Sequence, residues 1–158
     1  AQGMPRVLMK QRDHAMRRFS TAMIAAVAGV ALAAPASADN NSIAGRWRTD
    51  DGKAVITIAP CSNGSAALCG RISRILVAEP AGGARDTNNP NASLRERPLV
   101  GVQVFTNLTR EGERWTGRGY SPEEGRHFNA TVRVESGRLN VRGCVSLFCR
   151  TMVWARAS

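Results

Sequence analysis

Short apolar segments recur about every ten residues from position 43 onward, and turn-forming residues separate them. Apolar and polar residues alternate within these segments, most clearly in residues 53–59 and 127–134, which places the apolar side chains on one face of a strand. No segment shows the longer period of an amphipathic helix. The pattern predicts eight strands, at about residues 43–48, 53–59, 68–77, 99–107, 113–120, 127–134, 139–144 and 148–156.

Eight strands in antiparallel order predict an all-β fold, an up-and-down barrel that closes on itself and leaves no exposed edge. A change of phase within residues 71–76 indicates a bulge in the third strand. The inward positions are mostly Val, Ile, Ala and Gly, which leaves room inside such a barrel. We therefore expect a cavity for a small ligand.

One stretch interrupts the regular succession of strands. Residues 86–101 are polar and rich in Asn and Pro, and the Gly-rich residues 80–83 precede them. Together they predict a loop of about twenty residues, longer than a compact domain usually keeps without a use. We interpret this loop as part of the functional site of the molecule.

The chain starts with a segment of a different character. Arg17 and Arg18 follow Met16 and precede an apolar run, residues 22–34, that leads to an Ala-Ser-Ala motif ending at Ala38. These are the parts of a secretory signal peptide cleaved after Ala38, and the run is shorter than the roughly 18 to 20 residues of a membrane span. We predict an over-extended start at 1–15, a signal peptide at 16–38, and one barrel domain at 39–158 without a transmembrane segment.

All four cysteines lie in the predicted mature chain. An even number of cysteines in an exported chain predicts disulfides, and of the three possible connectivities we predict the local pairs Cys61 with Cys69 and Cys144 with Cys149. A four-thiolate zinc site is the alternative, but these spacings fit zinc knuckles poorly. The leader and the cysteines together predict a periplasmic or secreted protein.

The predicted mature chain carries 17 Lys and Arg against 11 Asp and Glu, a net charge of +6, and every cation except Lys53 is arginine. A basic surface can attract lipid head groups or acidic polymers. The arginines are scattered along the chain, as a GC-rich genome would also produce. Export argues against nucleic acid as the partner.

Short motifs are spread over residues 44–156. They are Gly45-x-Trp47, Cys69-Gly70-x-Ile72, Asp86-x-x-Asn89-Pro90, Arg95-x-Arg97-Pro98-Leu99-x-Gly101, Tyr120-x-Pro122-x-x-Gly125, Leu139-x-Val141-x-Gly143 and Trp154-x-Arg156. In this combination they resemble the bacterial secreted family of domain of unknown function 2147 (DUF2147). The resemblance implies a periplasmic or secreted calycin-like barrel that binds a small apolar molecule.

The two ends of the predicted barrel sequence also resemble the calycins, the lipocalins and fatty-acid-binding proteins. There, the tryptophan of a G-x-W motif lies at the closed end of the barrel, under an arginine from the last strand. A guanidinium over an indole contributes roughly 0.5 to 2 kcal/mol. The resemblance implies a structural role, without chemistry, for Gly45, Trp47, Trp154 and Arg156.

The long loop carries the candidate ligand contacts. Arg95 and Arg97 alternate around Glu96, so an extended segment would present both guanidiniums on one side to a carboxylate or phosphate. An internal ion pair from Arg97 to Asp86 is the competing interpretation. For a ligand beneath the loop, the predicted binding residues are Asp86, Asn89, Arg95, Arg97, Val102, Val104, Trp115, Tyr120, Phe128 and Val132.

The same loop offers oxygen atoms from Asp86, Asn88, Asn89 and Asn91, as a calcium loop does. Pro90 breaks that pattern and a single carboxylate is present, so Asx turns explain these residues better. We therefore predict neither a metal site nor a cofactor.

Catalytic motifs are sparse in this sequence. His127 is the one histidine after the leader, and there is no G-x-S-x-G motif or Gly-rich phosphate loop. Asp86 with Glu123 or Glu124 is the remaining acid–base arrangement. The prediction is a protein that binds a small apolar or anionic amphipathic ligand in the cell envelope. The alternatives are an interaction protein with a packed barrel and a basic surface, and a small hydrolase-type enzyme.

Overall fold

A computed structural model describes residues 42–158, which form one antiparallel sheet. Each strand pairs with the next along the chain, and β1 also pairs with β8, so the sheet closes. The predicted closed eight-stranded barrel is confirmed. Its strands are β1 Gly45–Arg48, β2 Ala54–Pro60, β3 Leu68–Ile75, β4 Gln103–Glu111, β5 Arg114–Ser121, β6 Arg126–Glu135, β7 Arg138–Val145 and β8 Phe148–Arg156.

The predicted start segment and signal peptide, residues 1–15 and 16–38, lie outside the described residues. Within residues 42–158, no helix has the length and apolar character needed to cross a membrane. The long loop between β3 and β4 includes a short 3-10 helix, Ala92–Leu94.

Alternation along each strand sets which side chains fill the barrel. In β6, Ala130 and Val132 are buried, whereas His127, Asn129 and Arg133 are exposed. The same alternation in β7 buries Leu139 and Val141, and the strands together enclose one hydrophobic core. The predicted bulge in β3 is present, because Val55 pairs with Arg74 while Ile56 pairs with Ile72, which leaves Ser73 without a partner residue in β2.

The fourth strand begins four residues later than predicted, at Gln103 and not at residue 99. The N–H of Val102 donates to the carbonyl of Leu99 at 3.0 Å, so the backbone before β4 forms a turn. Val100 is consequently 50% exposed and does not share a face with Val102 and Val104. The sequence pattern could not distinguish this turn from strand, since Val, Gly and Gln alternate through both.

A second departure lies within β4 itself. Val104 and Phe105 are adjacent, yet both are buried. The register between β3 and β4 shifts on each side of Gly70, and this irregularity breaks the strict alternation of the strand. Gly70 is required here, because a Cβ atom at that position would lie 2.6 Å from the Phe105 ring.

One end of the barrel is closed by residues from its first and last strands. Trp47 is fully buried, and its indole N–H donates to the carbonyl of Ile43 at 2.8 Å. The guanidinium carbon of Arg156 lies 4.4 Å from the centre of the Trp47 ring, and the same side chain donates to the carbonyl of Ser42. The opposite end carries the turns β1–β2, β5–β6 and β7–β8 and the two ends of the long loop.

Two disulfides reinforce these connections, and both predicted pairs are confirmed. Cys61–Cys69 ties the β2–β3 connection to the start of β3, and Cys144–Cys149 crosses the β7–β8 hairpin next to its turn. Each closes a short loop, so its expected contribution to stability is about 2 kcal/mol.

Candidate ligand-binding site

A cavity of about 470 Å³ opens at the end of the barrel opposite Trp47. Its mouth lies among the β1–β2, β5–β6 and β7–β8 turns and the ends of the long loop, where Ala84 and Leu99 contribute to the wall. The barrel is therefore not packed solid. The deeper wall is apolar and consists of Ile56, Ile72, Ile75, Val104, Phe105, Phe128, Met152 and Trp154.

Two glycines accommodate the largest side chain contributed by β6. Phe128 lies between Gly119, its partner in β5, and Gly143 of β7, which pairs with Ala130. A Cβ atom at Gly119 would overlap the Phe128 ring, and one at Gly143 would lie 2.9 Å from it. The ring therefore packs directly against the backbone at both positions. A residue larger than glycine at either position would prevent this close approach.

Trp154 carries a polar group in this apolar wall. Its side chain packs against Phe105, with ring centroids 5.6 Å apart, and is 6% exposed. The indole nitrogen is buried and has no hydrogen-bond acceptor among the residues that the structure describes. A buried donor without an acceptor costs about 1 to 3 kcal/mol.

Charged residues surround the mouth of the cavity. Lys53 lies 2.6 Å from Glu123, and Arg150 lies 3.6 Å from Glu124, so both carboxylates of the β5–β6 turn face cations. Arg126, at the start of β6, also contributes to the lining near the mouth. An apolar interior thus ends in a polar rim.

The long loop is attached to the barrel through a fully buried carboxylate, Asp86. One oxygen, Oδ1, accepts a hydrogen bond from the Tyr120 hydroxyl at 2.7 Å. The other, Oδ2, accepts from Nε and Nη2 of Arg97 at 2.9 and 2.7 Å and from the Asn89 amide at 2.7 Å. Four donors thus satisfy both oxygens.

These contacts shift the ionisation of two groups. Burial raises the pKa of Asp86, but hydrogen bonds from Asn89, Tyr120 and Arg97 and the charge of Arg97 outweigh it, and the pKa lies below its ordinary value of 3.8. Burial, followed by the hydrogen bond to Asp86, raises the pKa of Tyr120 to about 12. Asp86 is therefore charged and Tyr120 neutral at physiological pH.

The loop stands beside the mouth and does not cover it, which differs from our prediction of a ligand beneath the loop. Residues 89–97 line a separate cleft of about 360 Å³ together with outward positions of β4, β5 and β6, among them Arg118 and His127. Asn88 donates to the carbonyl of Glu123 at 2.8 Å, which joins the loop to the β5–β6 turn. Gly125 is needed in that turn, because a Cβ atom there would overlap the carbonyl oxygen of Asn88.

Arg95 and Arg97 do not act as a pair. The segment is not extended, since Arg95 follows the 3-10 helix with helical dihedral angles. Its Nε donates to the carbonyl of Asn89 at 2.8 Å, whereas Arg97 binds Asp86. Each guanidinium therefore stabilises the loop through a contact within it. The two do not form a shared anion-binding site at the mouth of the cavity.

A family model described as "Uncharacterized protein conserved in bacteria (DUF2147)" matches residues 45–156, from the first residue of β1 to the last of β8. The chain belongs to the DUF2147 family. This confirms the resemblance that the motifs indicated. Among curated proteins, none matches the sequence.

The fold of this DUF2147 protein is similar to a solved structure, that of protein HP1028 from Helicobacter pylori, which is described as belonging to the lipocalin family. The TM-score is 0.63 at 19% sequence identity, and the match covers 74% of this chain and 84% of that one. At this level of sequence identity, the similarity concerns the fold alone. It confirms that the barrel is lipocalin-like.

The residues predicted to bind a ligand fall into three groups in this DUF2147 barrel. Val104, Tyr120 and Phe128 line the cavity, and Tyr120 also joins Asp86, Asn89 and Arg97 in the loop cluster. Arg95 donates its side-chain hydrogen bond to the carbonyl of Asn89, within the loop. Val102 and Val132 are buried in the core, and Trp115 is half-buried against it, but none of these three lines the cavity.

Several wall residues were not among the predicted contacts. Ile56, Ile72 and Met152 line the cavity, and so do Ile75 and Trp154. Alternation in β2 and β8 could have assigned Ile56 and Met152 to the inside, but not to the open half of the barrel. Position along the barrel axis depends on strand tilt, which the pattern does not contain.

Proposed function

We propose that this DUF2147 protein is exported and binds a small hydrophobic or amphipathic molecule inside its barrel. The observation that carries this proposal is the cavity of about 470 Å³ with an apolar wall and one open end. Its volume lies within the range of pockets that enclose a small organic ligand. The disulfides support export, because such bonds persist in oxidising compartments.

Two features favour an amphipathic ligand over a pure hydrocarbon. The buried N–H of Trp154 would be satisfied by an oxygen acceptor on a ligand that reaches the deeper wall. At the rim, Lys53, Arg126 and Arg150 would lie near an anionic group that stays at the mouth. We assign the anionic contact to this rim and not to Arg95 or Arg97, which hold the loop.

The carboxylates support binding in preference to catalysis. Asp86 is fully buried, ionised and engaged by four donors, so neither oxygen is available to move a proton to or from a substrate. Glu123 and Glu124 are ion-pair partners of Lys53 and Arg150 at the rim of the cavity.

Native mass spectrometry tests the proposal directly. The protein, expressed with its own leader and isolated from its own cell envelope, is compared before and after denaturation. A recurrent excess mass that is lost on denaturation is expected, and its value identifies the ligand. Protein that carries no excess mass and also fails to bind an apolar probe contradicts the proposal.

The probe assay uses N-phenyl-1-naphthylamine, whose emission rises in an apolar site. Met152→Trp fills the cavity, while Val153→Trp adds the same ring to the outside of the same strand. We expect Met152→Trp to weaken probe binding roughly tenfold or more and Val153→Trp to leave it unchanged. Equal affinity in both variants would show that the probe binds elsewhere.

A third variant tests the acceptor. Trp154→Phe keeps an aromatic ring and removes the buried N–H. We expect its affinity for a long-chain ketone to fall roughly five- to tenfold, the contribution of one hydrogen bond. Its affinity for the alkane of equal length should not change. An equal change for both compounds would assign Trp154 a packing role alone.

A further inference from the structure

Exposed apolar side chains are concentrated at the open end of the barrel. Seven large hydrophobic residues within residues 42–158 are exposed, and Val153, on the outside of β8, is the one that lies away from this end. The other six are Leu76, Val77, Val100, Val145, Leu147 and Phe148. Val77, Val145 and Phe148 also contribute to the lining at the mouth, so the apolar surface continues from the cavity to the outside.

The β7–β8 hairpin tip, residues 145–148, is the most prominent part of this surface. Leu147 is 92% exposed and Phe148 is 84% exposed, far more than folded proteins usually leave such residues. Val145 pairs directly with Phe148, and the Cys144–Cys149 disulfide lies immediately behind that pair. The tip is therefore braced and cannot bury its side chains by folding back.

We propose that the hairpin tip inserts into the surface of an anionic lipid bilayer and brings the mouth of the barrel against the membrane. The shape of the tip favours a bilayer over a protein partner. Three side chains on a convex turn cannot bury the roughly 800 Å² per partner of a standard protein interface. A bilayer surface, in contrast, accepts a few apolar side chains to a depth of about 5 to 10 Å.

Charge complementarity identifies the lipid as anionic. Arg142 and Arg150 lie on β7 and β8 behind the tip, Arg126 lies at the start of β6 next to it, and Glu124 contacts Arg150. Arg142 precedes Val145 by three residues, which places it about 10 Å back along the strand, at the depth of the head groups. Residues 42–158 as a whole carry 17 Lys and Arg against 10 Asp and Glu.

The remaining acids of the mouth, Asp50, Asp51 and Glu123, lie toward the β1–β2 turn, where Lys53 contacts Asp51 and Glu123. We therefore expect the barrel to approach the membrane tilted, with the β6 to β8 side nearest. An apolar molecule could then pass between bilayer and cavity without crossing water. The membrane contact itself does not depend on a filled cavity.

Vesicle co-sedimentation of the full mature protein tests this inference. Vesicles of phosphatidylcholine, with and without phosphatidylglycerol, are incubated with wild type and with the double variant Leu147→Ser, Phe148→Ser. Both positions are exposed, so the variant is expected to fold. We expect wild type to bind the anionic vesicles, less so at high salt, and the double variant to bind roughly tenfold less.

Val153→Ser is the matched control, because it removes an exposed apolar side chain from the barrel wall. It should bind vesicles as wild type does, and Arg142→Gln should weaken binding to anionic vesicles alone. Wild type that binds no vesicle, or a double variant that binds as well as wild type, overturns the proposal. Light scattering that finds a wild-type dimer and a monomeric double variant overturns it in favour of a second copy at the tip.

The probe assay separates this inference from the proposed function. Leu147→Ser changes a tip residue that does not line the cavity, so it should weaken vesicle binding and leave the binding of N-phenyl-1-naphthylamine unchanged, which places its defect at the membrane contact. Loss of probe binding through Met152→Trp, with vesicle binding retained, gives the converse result.

Discussion

The hydroxyl of Tyr120 donates a 2.7 Å hydrogen bond to Oδ1 of Asp86, which lies 34 residues earlier in the chain. Tyr120 belongs to the barrel and Asp86 to the long loop, so this one contact ties the loop to β5. Arg97 and Asn89 hold the other carboxylate oxygen from within the loop. The loop thus folds around a carboxylate that the barrel anchors.

The coupling of these two residues can be measured by a double-mutant cycle with Tyr120→Phe and Asp86→Asn. Tyr120→Phe should lower the free energy of unfolding by about 1 to 2 kcal/mol, because Asp86 loses one of four donors. In the Asp86→Asn background, Tyr120→Phe should lower the free energy of unfolding by a clearly smaller amount. Urea titration of the four proteins measures this, and additive effects would contradict the contact.

Tyr120 is the one tyrosine in the chain, so its ionisation can be followed directly by ultraviolet absorbance. We expect the native protein to form tyrosinate with a pKa of about 12. Asp86→Asn should lower that value toward the ordinary 10. Because the native pKa is raised, the contribution of Tyr120 to stability is present below pH 10 and is lost as the pH rises toward 12. Native titration near 10 would contradict the buried contact.

Low pH should destabilise the protein through the same cluster, because Asp86 becomes protonated. Its pKa is lower in the folded than in the unfolded protein, so its stabilisation is present above the ordinary value of 3.8 and is lost as the pH falls through the lower native value. Urea midpoints measured from about pH 5 to about pH 2 should fall more steeply for wild type than for Asp86→Asn. Parallel curves would show that Asp86 has no altered pKa.

Gly125 and Gly137 allow the loop contact to be separated from backbone strain. Both have positive φ angles, +60° and +74°, but only at Gly125 would a Cβ atom meet other atoms, those of Asn88. Gly137→Ala should lower the free energy of unfolding by about 1 to 2 kcal/mol, because alanine is strained at a positive φ angle. Gly125→Ala should cost more and should release the loop, which amide hydrogen exchange of residues 86–98 would detect. Equal costs would contradict the close approach.

The prediction of the barrel succeeded where the controlling interactions are local. Alternation in β6 follows from the pleat of a single strand, and the Asp50-Asp51-Gly52 sequence marks the turn from β1 to β2. The disulfides join cysteines only eight and five residues apart. The β4 boundary was wrong because the turn of residues 99–102 is fixed by hydrogen bonds with Ile72, a residue of another strand.

The sequence alone establishes the strand number and the residues that could face inward, because a period of two is a property of each strand, and its motifs indicate the family. Tertiary structure decided the rest. The cavity depends on Gly119 and Gly143 meeting Phe128 from two neighbouring strands, and the position of the loop depends on Asp86 reaching Tyr120. Asp86 and Tyr120 are 34 residues apart, and Phe128 meets both glycines only once β5, β6 and β7 have paired in register, so the alternation of a single strand contains neither contact.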